Sequence, residues 1–403
     1  MMLKKTCKMV LDGLLMLGIG CAVLLVGEVV LQLLYDDKVA SPIAYRYDEE
    51  YLVALKPNVQ KTYVRKPQNG GQTIVWKTNG EGFRGNALRA DSDLRLIVYG
   101  DSNIQARFSD LENTFAHKLE QYLRKLAGED VEVVNGGTVG FGPDQSLIRF
   151  AKDADRYRPD LVIFHIFADN DFGELFRNRL FEIDPQGRLV KNSHPRTIDQ
   201  LIEKDSGFKG WVNSLLLVKA IGKILKAVKK DDAPEDLMHQ YLEAGAGEYA
   251  VYLQSGSRRF SHFEDHYDLD MALFPQGAAA QAKVQLLEAV LKEAHAVARG
   301  REIKFAVLVQ PSVIDLTENF RISYEHFRQY PEYRRKNLTD AVKNICLENN
   351  IPVLNLYDVF FKNDPSSLYF VAPNNHWNDA GQDLAARATA TYINDRFLSP
   401  GRE

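Results

Sequence analysis

"LRLIVYGDSNIQARFSD", residues Leu94 to Asp110, is an apolar run that stops at Gly100-Asp101-Ser102-Asn103 and then turns polar. Consecutive apolar positions read as a strand buried on both faces, and the tetrapeptide reads as the turn that follows it. Alone, that turn allows two roles. Ser102 is a nucleophile held at the sheet's edge, or Ser102 or Asp101 merely caps the helix that comes next.

Working outward, the same kind of run recurs at 131 to 137 (VEVVNGG), 160 to 167 (DLVIFHIF), 303 to 311 (IKFAVLVQP) and 351 to 358 (IPVLNLYD). Helical spacers such as TFAHKLEQYLRKLAG, 114 to 128, lie between them. The alternation predicts an α/β fold: an open parallel sheet of about five strands with helices on both faces. In such sheets ligands sit beyond the carboxyl ends of the strands, so functional residues should follow these runs.

Three other strand ends carry polar groups suited to one site. Asn135-Gly-Gly-Thr-Val-Gly140-Phe-Gly142 follows the second run, where glycines let backbone N–H groups approach a ligand. The dinucleotide fingerprint G-x-G-x-x-G cannot be aligned on these glycines, and a plain turn is the bland alternative. Ala168-Asp169-Asn170-Asp171 follows the third run, and the Asn170 amide is a donor of the kind that holds an oxyanion. Helix capping is its alternative role. Near the C-terminus, Pro373-Asn374-Asn375-His376-Trp377-Asn378-Asp379 precedes a helical stretch, and His376 would be the general base for a serine brought near in space.

In this order, Ser, Gly, Asn and His resemble the four sequence blocks of the SGNH (GDSL-type) hydrolase superfamily, over roughly residues 93 to 175 and 300 to 395. The resemblance implies a flavodoxin-like sheet with Ser102 as nucleophile and His376 as base. It also implies an oxyanion hole made of the Ser102 and Gly140 N–H groups and the Asn170 amide, with Asp101 and Asp171 in support. No cofactor is implied. The stretches KTNGEGFRG (77 to 85), NDF (170 to 172) and HWNDAG (376 to 381) resemble more closely the membrane-anchored bacterial SGNH proteins, whose relatives include acetyltransferases of exported polysaccharides. That implies an acyl ester or acetylated carbohydrate substrate and an acyl-export membrane protein as a partner.

One departure bears on activity. Family members carry an aspartate three, or in the anchored relatives two, residues before the histidine, where this chain has Pro373 and Asn374. Such an acid orients the imidazole, and replacing it by Asn costs a serine protease about 10⁴ in turnover, although Cys proteases use Asn naturally. Three readings stay open: Asn374 or Asn375 orients His376 through its amide carbonyl, a carboxylate such as Asp379 does so, or the protein works slowly or not at all. Ala168 also stands where a glycine is frequent.

The rest of the chain bounds the setting. With 403 residues and 45% hydrophobic content the core can be large, and a net charge of −4 gives a nucleic-acid partner no electrostatic support. Cys7 and Cys21 lie near the N-terminus and leave Cys346 alone, which excludes an intradomain disulfide and a cysteine zinc site. Residues 13 to 34 are long enough as a helix, about 33 Å, for the roughly 30 Å of bilayer hydrocarbon. Lys4, Lys5 and Lys8 before the span and Asp36 and Asp37 after it predict an N-terminus inside and the remainder outside the cytoplasmic membrane. A cleaved signal peptide would need a shorter run and a better site than Lys38-Val39-Ala40, and lipoprotein cleavage before Cys21 would need an aliphatic residue where Gly18 stands. A buried helix of a soluble domain is the remaining alternative, and the lysine cluster argues against it.

The expected organisation is a cytoplasmic tail (1–8), an anchor (9–34), a lead-in that is partly β (35–92), a first core part (93–180), a mainly helical insert (181–300) and a second core part (301–403). The insert fills a gap of about 135 residues between the third and fourth strands, more than one crossover needs. It is expected to hold a helix around Trp211 to Lys230, a Tyr-, His- and Phe-rich stretch from Glu248 to Phe274, and a long helix from Ala278 to Arg299. VKAIGKILKAVKK, 218 to 230, carries five lysines and reads as a solvated amphipathic helix, or as one lying on a membrane surface or an anionic polymer. His262-Phe-Glu-Asp-His266 spaces two histidines as a helical metal pair would, but no third ligand is evident and no metal is expected.

Two functions of different classes follow. One is serine-dependent acyl transfer on an extracytoplasmic carbohydrate ester, as esterase or O-acetyltransferase. The other is a catalytically weak or inactive protein of the same fold, anchored as a binding or assembly component.

Overall fold

Each of the five apolar runs forms a strand in the structure, a computed structural model that describes residues 15–16, 18–20, 22–30, 44–192, 233–254 and 265–399. The lead-in forms two antiparallel hairpins, β1 (Tyr45–Asp48) with β2 (Leu52–Leu55) and β3 (Gln60–Val64) with β4 (Thr73–Lys77). The core strands are β5 (Leu94–Tyr99), β6 (Val131–Asn135), β7 (Leu161–Ala168), β10 (Lys304–Pro311) and β11 (Val353–Asn355). Between β7 and β10 lies one further hairpin, β8 (Phe181–Ile183) with β9 (Leu189–Lys191).

The five core strands pair in parallel in the order β11-β10-β7-β5-β6. Counted within the core, this is the doubly wound order 2-1-3-4-5, in which the direction of winding reverses between the first and third strands. Those two are β5 and β7, and the strand ends that carry Ser102 and Asn170 are therefore neighbours.

Parallel strands of this kind need cover on both faces. Leu96 to Tyr99 and all of β7 are buried. One helical layer is α1 (Phe115–Ala127) packed with α7 (Asp379–Ile393). The other contains α2 (Pro143–Tyr157), α5 (Ala278–Arg299) and α6 (Asn337–Glu348). Under the second layer Phe164 meets Tyr99, Phe150 and Phe305 with ring centroids 6.0, 5.8 and 5.0 Å apart, each edge-on. Such pairs add about 0.5–1.5 kcal/mol each beyond the area they bury. Helices α3 (Asp171–Asn178) and α4 (Pro234–Leu253) pack on each other beside α5.

Residues 1–42 and 195–232 make a unit separate from this body. Its described part, within residues 15 to 30, is helical and leaves Leu15, Met16, Ile19 and Val23 to Val26 largely exposed. Among the described residues no helix is long and apolar enough to cross a membrane. The ends of the expected anchor, the 1–8 tail, the helix around Trp211 to Lys230 with its lysine-rich stretch, and His262 lie outside the described residues.

Candidate active site

In the turn after β5 the capping side chain and the serine hydroxyl have different partners. Asp101 is the cap, its carboxylate accepting from the Asn103 backbone N–H at 2.9 Å and from the Asn103 side chain at 3.0 Å. Ser102 opens the short helix Ser102–Gln105 and its hydroxyl is left for another partner. That partner is His376, whose Nε2 lies 2.7 Å from Ser102 Oγ.

Asn374 stands behind the imidazole, on the side away from Ser102. Its Oδ1 accepts from the His376 backbone N–H at 3.0 Å and lies 2.8 Å from Nδ1 of the ring. A backbone N–H can only donate, so this atom is the amide oxygen. The ring must then carry its proton on Nδ1, which leaves the Nε2 lone pair facing the serine hydroxyl. The other proposed orienting groups are elsewhere. Asn375 donates to Asp169, and Asp379 binds Arg65 at 2.5 Å and accepts from Ser109 at 2.7 Å. Burial holds His376 below its ordinary pKa, Asp101 and Asp265 pull it back up, and Arg107 pushes it further down. A neutral imidazole is the form a general base needs.

The pair is held by contacts across the chain. Asn103 Oδ1 accepts from the Trp377 N–H at 3.2 Å, and Gln382 on α7 donates to the Asn103 carbonyl at 2.9 Å. Trp377 is buried between Phe115, His165 and Phe360. From the lead-in, Arg65 donates to the Phe108 carbonyl at 2.6 Å while pairing with Asp379, tying the loop after Ser102 to the helix after His376.

The glycine-rich turn after β6 packs directly on the serine helix. A Cβ at Gly137 would stand 2.3 Å from the Gln105 backbone nitrogen, so only glycine fits. Asn135 fixes the same approach, donating to the Ile104 carbonyl at 2.7 Å and accepting from the Gly137 N–H at 3.0 Å. Gly140 has φ of +69°, a left-handed conformation open to glycine, and lines the cavity with Ser102. That cavity, about 440 Å³, is also lined by Asn170, His376, Lys66, Arg107 and Phe370.

Asn170 is where it was expected but is not free. Its amide nitrogen donates to Glu174 at 3.2 Å and to Asp265 at 2.5 Å, so both of its N–H groups point at carboxylates. Asp171 lies outside the cavity lining. It accepts from the Phe167 N–H at 2.7 Å, which turns the chain sharply after β7, and burial raises its pKa well above the carboxylate range. Glu174 is pushed up by the same cause. Asp169 is raised by burial and by Asp265, and it accepts from Ser312 as well as from Asn375.

Sequence reading missed Asp265 and Glu174. Asp265 lay inside the stretch weighed as a metal pair and set aside, and the carboxylate between the histidines was the informative residue. The His266 of that pair is committed elsewhere, with Nε2 2.9 Å from Glu248. Among the described residues no group of His, Cys, Asp or Glu could hold a metal ion.

No family model and no curated protein matches the chain. Solved structures similar to it include a lipase/acylhydrolase from Enterococcus faecalis, at 12% identity and a TM-score of 0.37, covering 75% of this chain and 96% of that one. An acetylxylan esterase from Geobacillus stearothermophilus is 14% identical with a TM-score of 0.39, covering 76% and 96%. A psychrotrophic esterase from Pseudoalteromonas sp. is 12% identical with a TM-score of 0.37, covering 76% and 100%.

Proposed function

We propose that the chain is an SGNH-type enzyme that transfers an acyl group from an ester through Ser102. The observation that carries this reading is the hydrogen-bonded chain from Asn374 through His376 to Ser102, at 2.8 and 2.7 Å, on the wall of a cavity that also receives Gly140 and Asn170. His376 Nε2 takes the hydroxyl proton as Ser102 Oγ attacks the ester carbonyl. In this reading the Ser102 and Gly140 N–H groups receive the oxyanion, joined by the Asn170 amide once the carbonyl oxygen displaces a carboxylate from it. The alkoxide leaves with the proton held by His376, and water or a second hydroxyl then enters by the reverse steps.

The substrate in this reading is an O-acylated, most simply O-acetylated, carbohydrate outside the cytoplasmic membrane, with residues 9–34 as the anchor. Supporting it are the apolar, lysine-led N-terminus and a cavity of about 440 Å³, room for a small ester. Esterase and O-acetyltransferase share every catalytic residue and differ only in which acceptor arrives first.

The test uses the full-length chain in detergent with nitrophenyl acetate. Wild type should release nitrophenol and carry acetyl on Ser102 by mass spectrometry, and Ser102→Ala should do neither. Equal rates for the two, with no acyl-enzyme, would leave the fold as a binding or assembly component. Addition of acetyl-accepting oligosaccharides then separates transfer from hydrolysis, and protease accessibility in intact cells tests the orientation.

A further inference from the structure

The Asn170 donor is occupied by a carboxylate that belongs to no part of the serine–histidine machinery. Asp265 Oδ1 lies 2.5 Å from Asn170 Nδ2, and the amide's second N–H is taken by Glu174. A carboxylate oxygen at that distance stands where an oxyanion bound to Asn170 would stand. Ester carbonyl and Asp265 therefore compete for one N–H.

The place of Asp265 is built rather than incidental. The three residues after it are buried and pinned. His266 meets Glu248, Tyr267 donates to Asp315 at 2.8 Å, and the Asp268 N–H donates to the Asp169 carbonyl at 2.6 Å. The Asp268 carboxylate is held by the buried Lys283 at 2.9 Å. Asp265 itself is exposed on the cavity wall and its charge is felt at His376.

We infer that Asp265 is a specificity-determining residue that selects esters bearing a free hydroxyl beside the acyl group. This rests on the acyl-transfer reading above and names the substrate class within it. When a carbonyl oxygen displaces Asp265 from Asn170, the exposed carboxylate keeps its water but stands next to a developing negative charge, a like-charge repulsion that a donor bridging the two offsets. A vicinal hydroxyl, present in a partly acylated sugar, supplies that donor. A simple alkyl or aryl acetate does not, and meets the full competition.

The experiment compares wild type, Asp265→Ala and Asp265→Asn on nitrophenyl acetate and on a monoacetylated methyl glycoside with a free vicinal hydroxyl, all as the full-length chain. Relative to wild type, Asp265→Ala should raise kcat/KM on nitrophenyl acetate by roughly fivefold or more, as expected for removing a charged competitor. On the glycoside it should lower kcat/KM, so that the preference between the two esters inverts. Asp265→Asn, neutral but still a hydrogen-bond acceptor, should fall between.

An unchanged ratio overturns the inference while leaving the acyl-transfer reading intact. So does an equal loss on both esters from a variant whose thermal unfolding matches wild type. If Asp265→Ala unfolds, the Asn variant, which keeps the size, decides by the same ratio. If wild type turns over neither ester faster than Ser102→Ala, both readings fall together.

Discussion

Asn374 Oδ1 accepts from the backbone N–H and faces the ring Nδ1 of the same histidine, at 3.0 and 2.8 Å from His376. A neutral amide thus sets the tautomer and aim of the base, the work usually given to a carboxylate. It lacks the charge that would stabilise the imidazolium formed as Ser102 is deprotonated. Asn374→Asp should therefore raise kcat by about tenfold or more, within the range of general acid–base effects. The added charge raises the His376 pKa, so the acid limb of the kcat/KM profile should move to higher pH. Asn374→Ala should lower kcat by about 10- to 100-fold with KM little changed. Rates from pH 4 to 9 for the three proteins check this.

The base is also tuned from across the cavity. Burial depresses the His376 pKa and the Arg107 guanidinium depresses it further, whereas Asp101 and Asp265 oppose both. Activity needs the neutral ring, so kcat/KM should fall as pH drops through a value below the ordinary 6.5 of histidine. Arg107→Gln removes one depressing charge. The acid limb should then shift upward, with the plateau rate nearly unchanged. A downward shift would mean that Arg107 acts on His376 through something other than its charge.

Substitutions at Asn170 and in the glycine turn should separate chemistry from packing. Asn170→Ala removes a donor without touching the serine helix and should cost about 10²–10³ in kcat, as at other oxyanion holes. Gly137→Ala places a methyl group 2.3 Å from the Gln105 nitrogen, so the serine helix or the glycine turn must move. Its cost should appear in stability, about 1–3 kcal/mol by denaturant unfolding, together with lost activity. Reversed signatures, with Gly137→Ala silent in unfolding, would contradict the close approach described here.

The five strands and three of the four site groups were legible because each is a local pattern, an apolar run followed by polar or glycine residues at a turn; His376 instead lies well past β11, in the loop that leads into α7. The pairing order β11-β10-β7-β5-β6 brings two of those ends together, and the sheet's own geometry does the rest. The choice among Asn374, Asn375 and Asp379 was not legible, since it depends on which oxygen the loop folds toward the ring. Asp265 was less accessible still. It meets Asn170 across 95 positions of chain, and its position is set by Lys283, Glu248 and Asp315 rather than by its own neighbours in sequence. The two histidines at helical spacing were weighed as a metal pair and set aside, and the fold uses His266 to bind Glu248.

A last prediction concerns the support of that segment. Asp315 is buried and accepts hydrogen bonds from the Tyr267 and Tyr333 hydroxyls, both at 2.8 Å. Burial pushes its carboxyl up to about 7, above the roughly 3.9 of an unfolded chain. Between those values the folded protein holds a proton that the unfolded chain has lost, so this group's contribution to stability falls as pH rises from about 4 to 7. Asn has the same shape, offers Oδ1 to both tyrosines and never ionises. Asp315→Asn should therefore match wild type near pH 4 and exceed it at pH 8 by on the order of 4 kcal/mol. Urea unfolding of both proteins at the two pH values measures the difference. A loss at pH 8 would show instead that the charged carboxylate is what the two tyrosines, and through Tyr267 the wall carrying Asp265, require.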